Sequence, residues 1–222
     1  MVRMVRGDFH MHTYYSYDCM TSPEALVRRC NDVGLDCIAV TDHNSLAGAK
    51  AVSAIANFTV ILGEEVKSTA GEITGLFLTE EVPPGLSPVE TAKRIKEQGA
   101  LVSVPHPFSG YGRSSLAEPA VTELLPYVDL IEAFNARTMS RETNERGRAF
   151  AKAHGLAATA VSDAHTLGEL GRTYTELPDF DGTPEGFKEA LREARLVERP
   201  AGRFVHVYTT LNKLRHRFFT VP

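Results

Sequence analysis

The segment Asp8-Phe9-His10-Met11-His12 follows a short apolar run near the start of the chain and carries the first polar cluster. If residues 5–12 end a strand, alternation places His10 and His12 on the same face. Two neutral imidazole nitrogens on one face can hold a single divalent cation. A pair of exposed or hydrogen-bonded histidines is the alternative, and one His-x-His motif does not decide between them.

Composition and length set the class of protein. A length of 222 residues predicts a single domain over residues 1–222, with a core over 5–200 and a closing segment over 201–222. The net charge of −4 argues against a protein that holds long nucleic acid by charge. The 3 cysteines show no Cys-x-x-Cys spacing, which argues against a disulfide framework. No apolar run reaches membrane-spanning length and none opens the chain, so the expected location is cytoplasmic.

Strand-like runs alternate with amphipathic segments along the chain. Helix starts are indicated where a serine precedes a proline, as at Ser22-Pro23 and Ser87-Pro88. Strands are predicted at 5–12, 37–40, 59–62, 73–78, 101–104, 129–134, 157–161 and 196–197, and helices at 21–34, 46–56, 87–99, 118–127, 140–155 and 184–194. This alternation favours a parallel α/β sheet, and about seven units suit a closed or nearly closed barrel.

Histidines and acids follow several predicted strands directly. The motifs are Thr41-Asp42-His43-Asn44, Gly63-Glu64-Glu65, Pro105-His106-Pro107 and Ser162-Asp163-Ala164-His165. Each has an ordinary alternative: a turn or helix cap, a pair of solvated acids, or a histidine in a structural turn. In parallel α/β folds, however, functional side chains gather at the carboxyl ends of the strands, which is where these motifs lie. His154, His206 and His216 lie on or near helices or in the tail and are not assigned to a site.

Taken together, the motifs resemble those of the PHP (polymerase and histidinol phosphatase) family. The resemblance spans residues 8–165, with the motifs in the family's order: His10-x-His12, Asp18, Thr41-Asp42-His43, Gly63-x-Glu65, Pro105-His106-Pro107 and Asp163-x-His165. It implies a distorted (β/α)7 barrel of the PHP type with two or three divalent metal ions at the carboxyl ends of the strands. Free-standing members are typically phosphoesterases.

The resemblance also implies a set of metal ligands. His10, His12, Glu65 and Asp163 would surround a first metal, Glu65 would bridge to a second metal held by Glu72 and His106, and Asp18, His43 and His165 would hold a third. Asp18 and Glu72 stand where many relatives have histidine. These carboxylates make the site richer in oxygen, which favours Mn²⁺ or Fe²⁺ over a pure Zn²⁺ site.

The expected chemistry is hydrolysis of a small phosphomonoester by a hydroxide that two metals share. His43, His165 and Asp163 form the predicted catalytic group, and either histidine could protonate the leaving group if it is not fully occupied as a metal ligand. Asp8 and Asp42 are expected to orient the histidines beside them. Adjacent strand residues face opposite ways, so Glu65 is expected to bridge two metals and Glu64 is not.

Candidate substrate contacts follow the later strands. Asn135, Arg137, Arg141 and Arg172 are predicted to bind substrate, since guanidinium groups take phosphate oxygens bidentately. Solvated surface arginines are an equal alternative. Tyr14, Tyr15 and Tyr17 could form an aromatic wall that favours a nucleoside phosphate, or could merely pack against neighbours. The tail over 203–219 is predicted to close the barrel with its apolar face and to leave its charges solvated, with a basic nucleic-acid surface as the alternative.

Three functions remain as hypotheses. The first is a phosphoesterase acting on a nucleotide, a nucleoside bisphosphate or a sugar phosphate. The second is a trimming exonuclease on short oligonucleotides, against which the acidic net charge weighs. The third is a non-catalytic metal-binding PHP module, against which the complete set of ligand-type side chains weighs. The favoured hypothesis predicts a small phosphorylated substrate, no long nucleic acid and no membrane, and it leaves the oligomeric state open.

Overall fold

The computed structural model describes residues 3–110, 114–202 and 205–218. The strands are β1 (Met4–Asp8), β2 (Cys37–Val40), β3 (Thr59–Lys67), β4 (Glu72–Leu76), β5 (Leu101–Val104), β6 (Val128–Asn135), β7 (Ala157–Val161), β8 (Tyr174–Pro178) and β9 (Arg195–Val197). The α-helices are α1 (Pro23–Val33), α2 (Ala47–Ser53), α3 (Pro88–Glu97), α4 (Glu118–Leu124), α5 (Arg141–His154), α6 (Pro184–Leu191) and α7 (Val205–Phe218), and a single 3-10 turn covers Leu167–Glu169.

Local signals in the sequence explain where the helices begin and end. The Ser22 hydroxyl accepts a hydrogen bond from the backbone N–H of Ala25, and Pro23 occupies the first position of α1. Gly34 ends the same helix with a left-handed φ of 71°, a conformation that glycine adopts without steric cost. Ser87 caps α3 in the same way as Ser22 caps α1. A strand or helix is present in the described chain at each segment where the sequence predicts one.

Across the described residues, the strands form one 9-stranded sheet in the order β7-β6-β5-β4-β3-β2-β1-β8-β9. The pairs β1–β2, β2–β3, β5–β6 and β6–β7 are parallel, whereas β4 is antiparallel to both β3 and β5. The expectation of a parallel sheet is therefore wrong for β4, and also for β8 and β9, since β8 is antiparallel to β1 and β9 is antiparallel to β8. The turn over 68–71 is too short for a crossover connection, so β4 must return antiparallel to β3. This reversal places Glu72, the first residue of β4, opposite Lys67 at the end of β3.

The sheet curls far enough for the segment that follows β1 to pair with the segment that follows β7. Met11 bridges to Ala164, and the backbone N–H of His12 donates to the carbonyl oxygen of Ala164 over 2.9 Å. The prediction of a distorted barrel of the PHP type is confirmed. β8 is not among the predicted strands; its Thr175 faces inward and exchanges hydrogen bonds with the backbone of Ala160. Because a polar residue, Thr175, occupies one of the buried positions of this strand, the sequence does not show the alternation of apolar and polar residues that predicts a strand.

Apolar side chains fill both the barrel and the layer between sheet and helices. Phe9, Ala39, Ile61 and Phe187 belong to one buried cluster, and Ile95, Val102 and Ile131 belong to another under the helices. With the barrel interior and the helix layer both filled by carbon, the ligand-type side chains are confined to one end of the barrel. Within the described ranges, no helix is both long and apolar enough to cross a membrane.

The C-terminal tail differs from the prediction. Most of it forms α7, and Val205 and Asn212 are buried, but four of its apolar side chains stay about half exposed: Val207 (54%), Tyr208 (55%), Leu211 (46%) and Leu214 (50%). The helix is held instead by polar contacts, including hydrogen bonds from the Arg137 guanidinium to the Val205 carbonyl and the Thr209 hydroxyl. Of the predicted apolar face, Val205 is thus buried, whereas Val207, Leu211 and Leu214 are about half exposed. Residues 203, 204 and 219, which the prediction included, lie outside the described residues.

Candidate metal centre

The two histidines that follow β1 lie side by side at the carboxyl end of the barrel. The Nε2 atoms of His10 and His12 are 3.1 Å apart, and both side chains are buried. Asp163, which follows β7, brings its Oδ1 atom to 3.7 Å from His10 Nε2 and 3.4 Å from His12 Nε2. One carboxylate and two imidazoles thus face a common point.

Two further groups of ligand-type side chains adjoin this one. In each group the candidate ligand atoms lie within 4.8 Å of one another. The three groups are His10, His12 and Asp163; Glu65, Glu72 and His106; and His12, His43 and His165. Asp18, the remaining predicted ligand, has its Oδ2 atom 3.5 Å from His43 Nε2 and 3.4 Å from His165 Nε2. The structure therefore brings all the predicted ligands to one region.

Glu65 lies at the junction of the groups. Its Oε1 atom is 2.9 Å from His106 Nε2, and its Oε2 atom is 3.0 Å from His43 Nδ1 and 3.5 Å from His10 Nε2. A carboxylate with its two oxygens turned to different imidazoles can bridge two cations. Glu64 faces the other way along β3, where its Oε2 atom accepts a hydrogen bond from the backbone N–H of Val82.

Glu72 reaches the site because β4 runs antiparallel. Its Oε2 atom is 3.7 Å from His106 Nε2, and its Oε1 atom is 3.2 Å from the Lys67 ammonium. Burial, and then the negative charge of Glu65, raise the pKa of Glu72. Two carboxylates packed this closely in the protein interior repel each other, and a cation between them would relieve the repulsion.

Polar groups behind the histidines orient their ring nitrogens. Asp42 accepts hydrogen bonds from the backbone and hydroxyl of Thr13 and from the Ser16 hydroxyl. Because Ser16 gives its only proton to Asp42, its oxygen accepts from His12 Nδ1, 3.1 Å away, and from the backbone N–H of His43. His12 Nε2 is then left to face the cluster. Asp42 thus acts on His12 through Ser16 rather than by direct contact.

Glu132 supports the site and was missed in the sequence. Its Oε1 atom accepts a hydrogen bond from His10 Nδ1 over 2.6 Å, while its Oε2 atom accepts from the backbone N–H of His106 and from Asn135 Nδ2. The side chain is 3% exposed. The signal was a single acid inside the apolar run 130–134, where burial requires a partner.

Asp8 and Asn135 serve different neighbours from those predicted. Asp8 meets backbone groups of Ser162 and His10 instead of an imidazole, and burial raises its pKa to about 7. It thereby holds the loop that carries Asp163. Asn135, predicted to bind substrate, lines the cavity, but its amide donates to Glu132 and, over 3.2 Å, to Asp163 Oδ2.

Two of the ligand-type residues have unusual backbone conformations. His106 has a φ of 27° and Asp163 a φ of 53°, in the left-handed region that side-chain-bearing residues rarely adopt. Each such residue costs on the order of 1–3 kcal/mol and persists only where surrounding contacts hold it. The hydrogen bond from His106 N–H to Glu132 is one such contact, at 2.6 Å. Such backbone conformations are frequent at functional sites.

Burial and close charges shift the acid–base behaviour of the cluster. Burial opposes a charged imidazole, but nearby carboxylates outweigh it and raise the pKa of His10 and of His43, and they raise that of His106 to about 9. Burial, followed by the charge of His165, lowers the pKa of His12 to about 3. Burial also opposes ionisation of Glu65, yet His10 and His43 hold its pKa well below the usual range. In the metal-free cluster, His10, His43 and His106 are thus protonated at neutral pH, whereas His12 is neutral.

Metal binding to the metal-free protein should therefore release protons at pH 7. His10, His43 and His106 have raised pKa values, about 9 for His106, so a cation must displace their protons. Metal affinity should accordingly increase from about pH 6 to about pH 9 as these protons are lost. Calorimetric titration with Mn²⁺ in two buffers of different ionisation enthalpy measures the protons released. Equal enthalpies in the two buffers would show that these imidazoles are already neutral.

The donor set fits divalent cations. It combines imidazole nitrogens with carboxylate oxygens, the mixture that suits Mn²⁺, Fe²⁺ and Zn²⁺. The Oδ1 atom of Asp18 is buried and has no hydrogen-bond donor among the described residues. A buried carboxylate oxygen without a donor is costly, and coordination to a metal would satisfy it.

A cavity of about 370 Å³ opens beside this cluster. Besides ligand-type side chains, its wall contains Tyr17, Asn135, Arg137, His206 and Lys213. His206 and Lys213 come from α7 and were not assigned to the site from the sequence. Both residues lie far from the ligand motifs in the chain, so the sequence gives no sign that they are close to the site in space.

Only part of the predicted substrate wall assembles here. Arg137 lines the cavity, but Arg141 is exposed in the first turn of α5 and pairs with Glu145 over 2.8 Å, and Arg172 lines a different cavity. The structure thus does not bring Arg141 and Arg172 to the site, because helix geometry and the loop after the 3-10 turn direct them elsewhere. Among the tyrosines, Tyr17 stacks on His43 with ring centres 4.9 Å apart. Tyr14 and Tyr15 contact each other and do not line this cavity.

The fold and the cluster together define a barrel protein with a candidate multi-metal site, and comparison with known proteins agrees. The PHP domain family matches residues 8–102, and the PHP-associated C-terminal family matches residues 141–196. An uncharacterised protein of Methanocaldococcus jannaschii is 37% identical over 180 residues, which cover 80% of this chain and 72% of that protein. The chain belongs to the PHP family.

Solved structures share the barrel. A two-domain protein of Bacteroides vulgatus, which contains a predicted PHP-like metal-dependent phosphoesterase, superposes with a TM-score of 0.71 at 20% identity and covers 96% of this chain and 70% of that one. The lesion-specific endonuclease EndoQ of Pyrococcus furiosus gives a TM-score of 0.64 at 17% identity, over 87% of this chain and 58% of that one. These likenesses establish the fold.

Proposed function

We propose that this protein is a metal-dependent phosphoesterase that hydrolyses a small phosphomonoester. The observation that carries the proposal is the position of Glu65, whose two oxygens join separate groups of ligand-type side chains at the edge of a cavity of about 370 Å³. Side chains arranged in this way would hold two cations next to each other, the arrangement that phosphoester hydrolysis uses. Membership of the PHP family supports the same class of reaction.

Two or three divalent ions, Mn²⁺, Fe²⁺ or Zn²⁺, would be held by this cluster. The residues that would hold them are His10, His12, Asp18, His43, Glu65, Glu72, His106, Asp163 and His165. When bound, the ions polarise a phosphoryl oxygen and make water a nucleophile at neutral pH. The four carboxylates of the set would neutralise much of their charge, so the cluster can remain buried.

The chain's own groups fix the geometry of the proposed reaction. Glu132 and Ser16 hold Nδ1 of His10 and His12 respectively, so Nε2 of each faces the cluster. His165 Nδ1 donates to the backbone carbonyl of Asp163 over 2.9 Å, which likewise leaves its Nε2 toward the cavity. His43, His165 and Asp163 line the cavity and are the proposed catalytic group, and a histidine of the pair that is not taken up as a metal ligand is placed to give a proton to the leaving oxygen.

The size and charge of the cavity favour a small substrate. About 370 Å³ is at the lower end of the range for small-molecule sites and suits a nucleotide, a nucleoside bisphosphate or a sugar phosphate. Trimming of short oligonucleotides is the second candidate, and the fold shared with an endonuclease favours it. The net charge of −4 weighs against a long nucleic-acid partner.

Phosphate release from a panel of small phosphomonoesters tests the proposal. Protein loaded with Mn²⁺, Fe²⁺ or Zn²⁺ should release phosphate from at least one nucleoside or sugar phosphate, and chelation should abolish the release. The Glu65→Gln variant, purified in parallel, controls for a contaminating phosphatase. Shortening of an oligonucleotide without hydrolysis of any small ester would replace the proposal by the second candidate, and no hydrolysis of either would reject both.

A further inference from the structure

We propose that α7 completes the substrate pocket and that Lys213 on this helix binds the phosphoryl group of the substrate. The inference rests on the proposed function, since it assigns a binding role within the same cavity. It concerns a residue that belongs to neither the ligand motifs nor the predicted arginines.

The first step is that α7 is anchored to the wall of the site. The guanidinium of Arg137 donates to the Val205 carbonyl oxygen over 3.3 Å and to the Thr209 hydroxyl. In the other direction, His206 Nε2 lies 3.2 Å from the Arg137 carbonyl oxygen. These contacts fix the first turns of α7 against the residue that follows β6. The helix therefore has a defined position over the cavity.

The second step is the position of Lys213. It lies seven residues, or about two turns, after His206, so both side chains project from one face of α7, and both line the cavity. The Lys213 ammonium is 3.8 Å from Asp18 Oδ2 and 5.2 Å from the centre of the Tyr17 ring. Its side chain is 49% exposed. A half-exposed cation thus lies at the cavity, beside the candidate ligands and within reach of solvent.

The third step is the charge that remains for an incoming anion. Among the described residues that line the cavity, the lysine and arginine side chains are Arg137 and Lys213. Arg137 is buried and forms an ion pair with Glu169 over 3.2 Å, so its charge is compensated. Lys213 lies 3.8 Å from Asp18, whose charge a bound metal would share. The ammonium is therefore the group best placed to hydrogen-bond a phosphoryl oxygen.

Tyr17 completes the arrangement. Its ring stacks on His43 with an interplanar angle of 21° and also lies beneath the Lys213 ammonium. An aromatic ring attracts a cation through its π-electrons, so the ammonium is positioned without having to hydrogen-bond a carboxylate. The three donors of Lys213 can accordingly turn toward an anion at the metal cluster.

Substitution of Lys213 tests the inference, with Arg215→Gln as the matched control. Arg215 is an exposed cation on the same helix and does not line the cavity. We expect Lys213→Gln to raise KM for the best phosphomonoester and Ki for inorganic phosphate about tenfold, or about 1.4 kcal/mol. The metal content should stay at the wild-type level, Lys213→Arg should recover part of the affinity, and Arg215→Gln should change neither constant.

Two results would overturn the assignment. Wild-type KM and Ki in Lys213→Gln, with phosphatase activity intact, would reject Lys213 while leaving the proposed function in place. A fall in metal content, with KM unchanged at saturating metal, would show that Lys213 only braces Asp18. Calorimetric titration of the metal-loaded protein with inorganic phosphate gives a readout independent of turnover. If wild type and Lys213→Gln bind phosphate equally, the assignment also fails.

Discussion

Replacement of Glu65 by glutamine should lower kcat/KM at least about a hundredfold and reduce the metal content. The side chain turns one oxygen to His106 and the other to His43 and His10. An amide offers one oxygen in place of two and no negative charge, so it cannot bridge two cations. Loss of groups that only support a ligand already costs about 10–100-fold, so loss of a bridging ligand should cost more. Steady-state kinetics and metal analysis of the purified variant measure both effects.

Glu64→Gln is the matched control for this variant. Glu64 precedes Glu65 on the same strand but points into the core, where it accepts one backbone hydrogen bond from Val82. Burial raises the pKa of Glu64 to about 7, so a neutral amide of the same shape replaces a carboxyl that is already partly neutral. Activity and metal content should stay close to wild type. If Glu64→Gln inactivated the protein and Glu65→Gln did not, the assignment of facing sides along β3 would be reversed.

The second large effect is expected at Glu132. Both of its oxygens accept hydrogen bonds, from His10 on one side and from the His106 backbone and Asn135 on the other. Glutamine keeps one acceptor oxygen and replaces the other with an NH₂ group, so on one side two hydrogen-bond donors would face each other. Glu132→Gln should therefore weaken metal affinity about 10–100-fold, although Glu132 is not itself a predicted ligand. Competition with a fluorescent metal chelator measures the affinity.

Glu123→Gln removes the same charge from an exposed position on α4 and should leave metal affinity unchanged. The melting temperature of the metal-free Glu132→Gln protein should also fall, because a buried donor loses its partner. Wild-type affinity in Glu132→Gln would show that His10 keeps its orientation without this carboxylate, and the support assigned to Glu132 would be withdrawn.

The residues that could be predicted from the sequence are those whose chemistry follows a strand directly. His10, His43, His106 and Asp163 each end an apolar run, and the barrel fold brings such positions together regardless of how far apart they lie in the chain. The fold class and the position of the ligand region can therefore be predicted from one local pattern, an apolar strand followed by a histidine or an acid, which recurs along the chain. The family resemblance adds the order of the motifs and the expectation of shared metals.

The features that escaped prediction depend on contacts between distant segments. Glu132 lies inside a strand, so only its burial against His10 shows its role. Lys213 lies in a tail whose apolar residues suggested that its charged face would point to solvent. Hydrogen bonds from Arg137 instead determine how α7 packs against the site. For Arg141 the prediction was made but is not met. Its position after a strand suggested substrate binding, but in the structure the side chain pairs with Glu145 one turn along the helix.

Anomalous diffraction from crystals soaked with Mn²⁺ or Zn²⁺ at neutral pH tests the central claim most directly. At least two peaks should lie at the carboxyl end of the barrel, with Glu65 oxygens on the order of 2.0–2.3 Å from both ions. His10, His12 and Asp163 should surround one ion, and Glu72 and His106 should contact the other. Absence of any peak at this end of the barrel, or peaks that none of these side chains contact, would contradict the account.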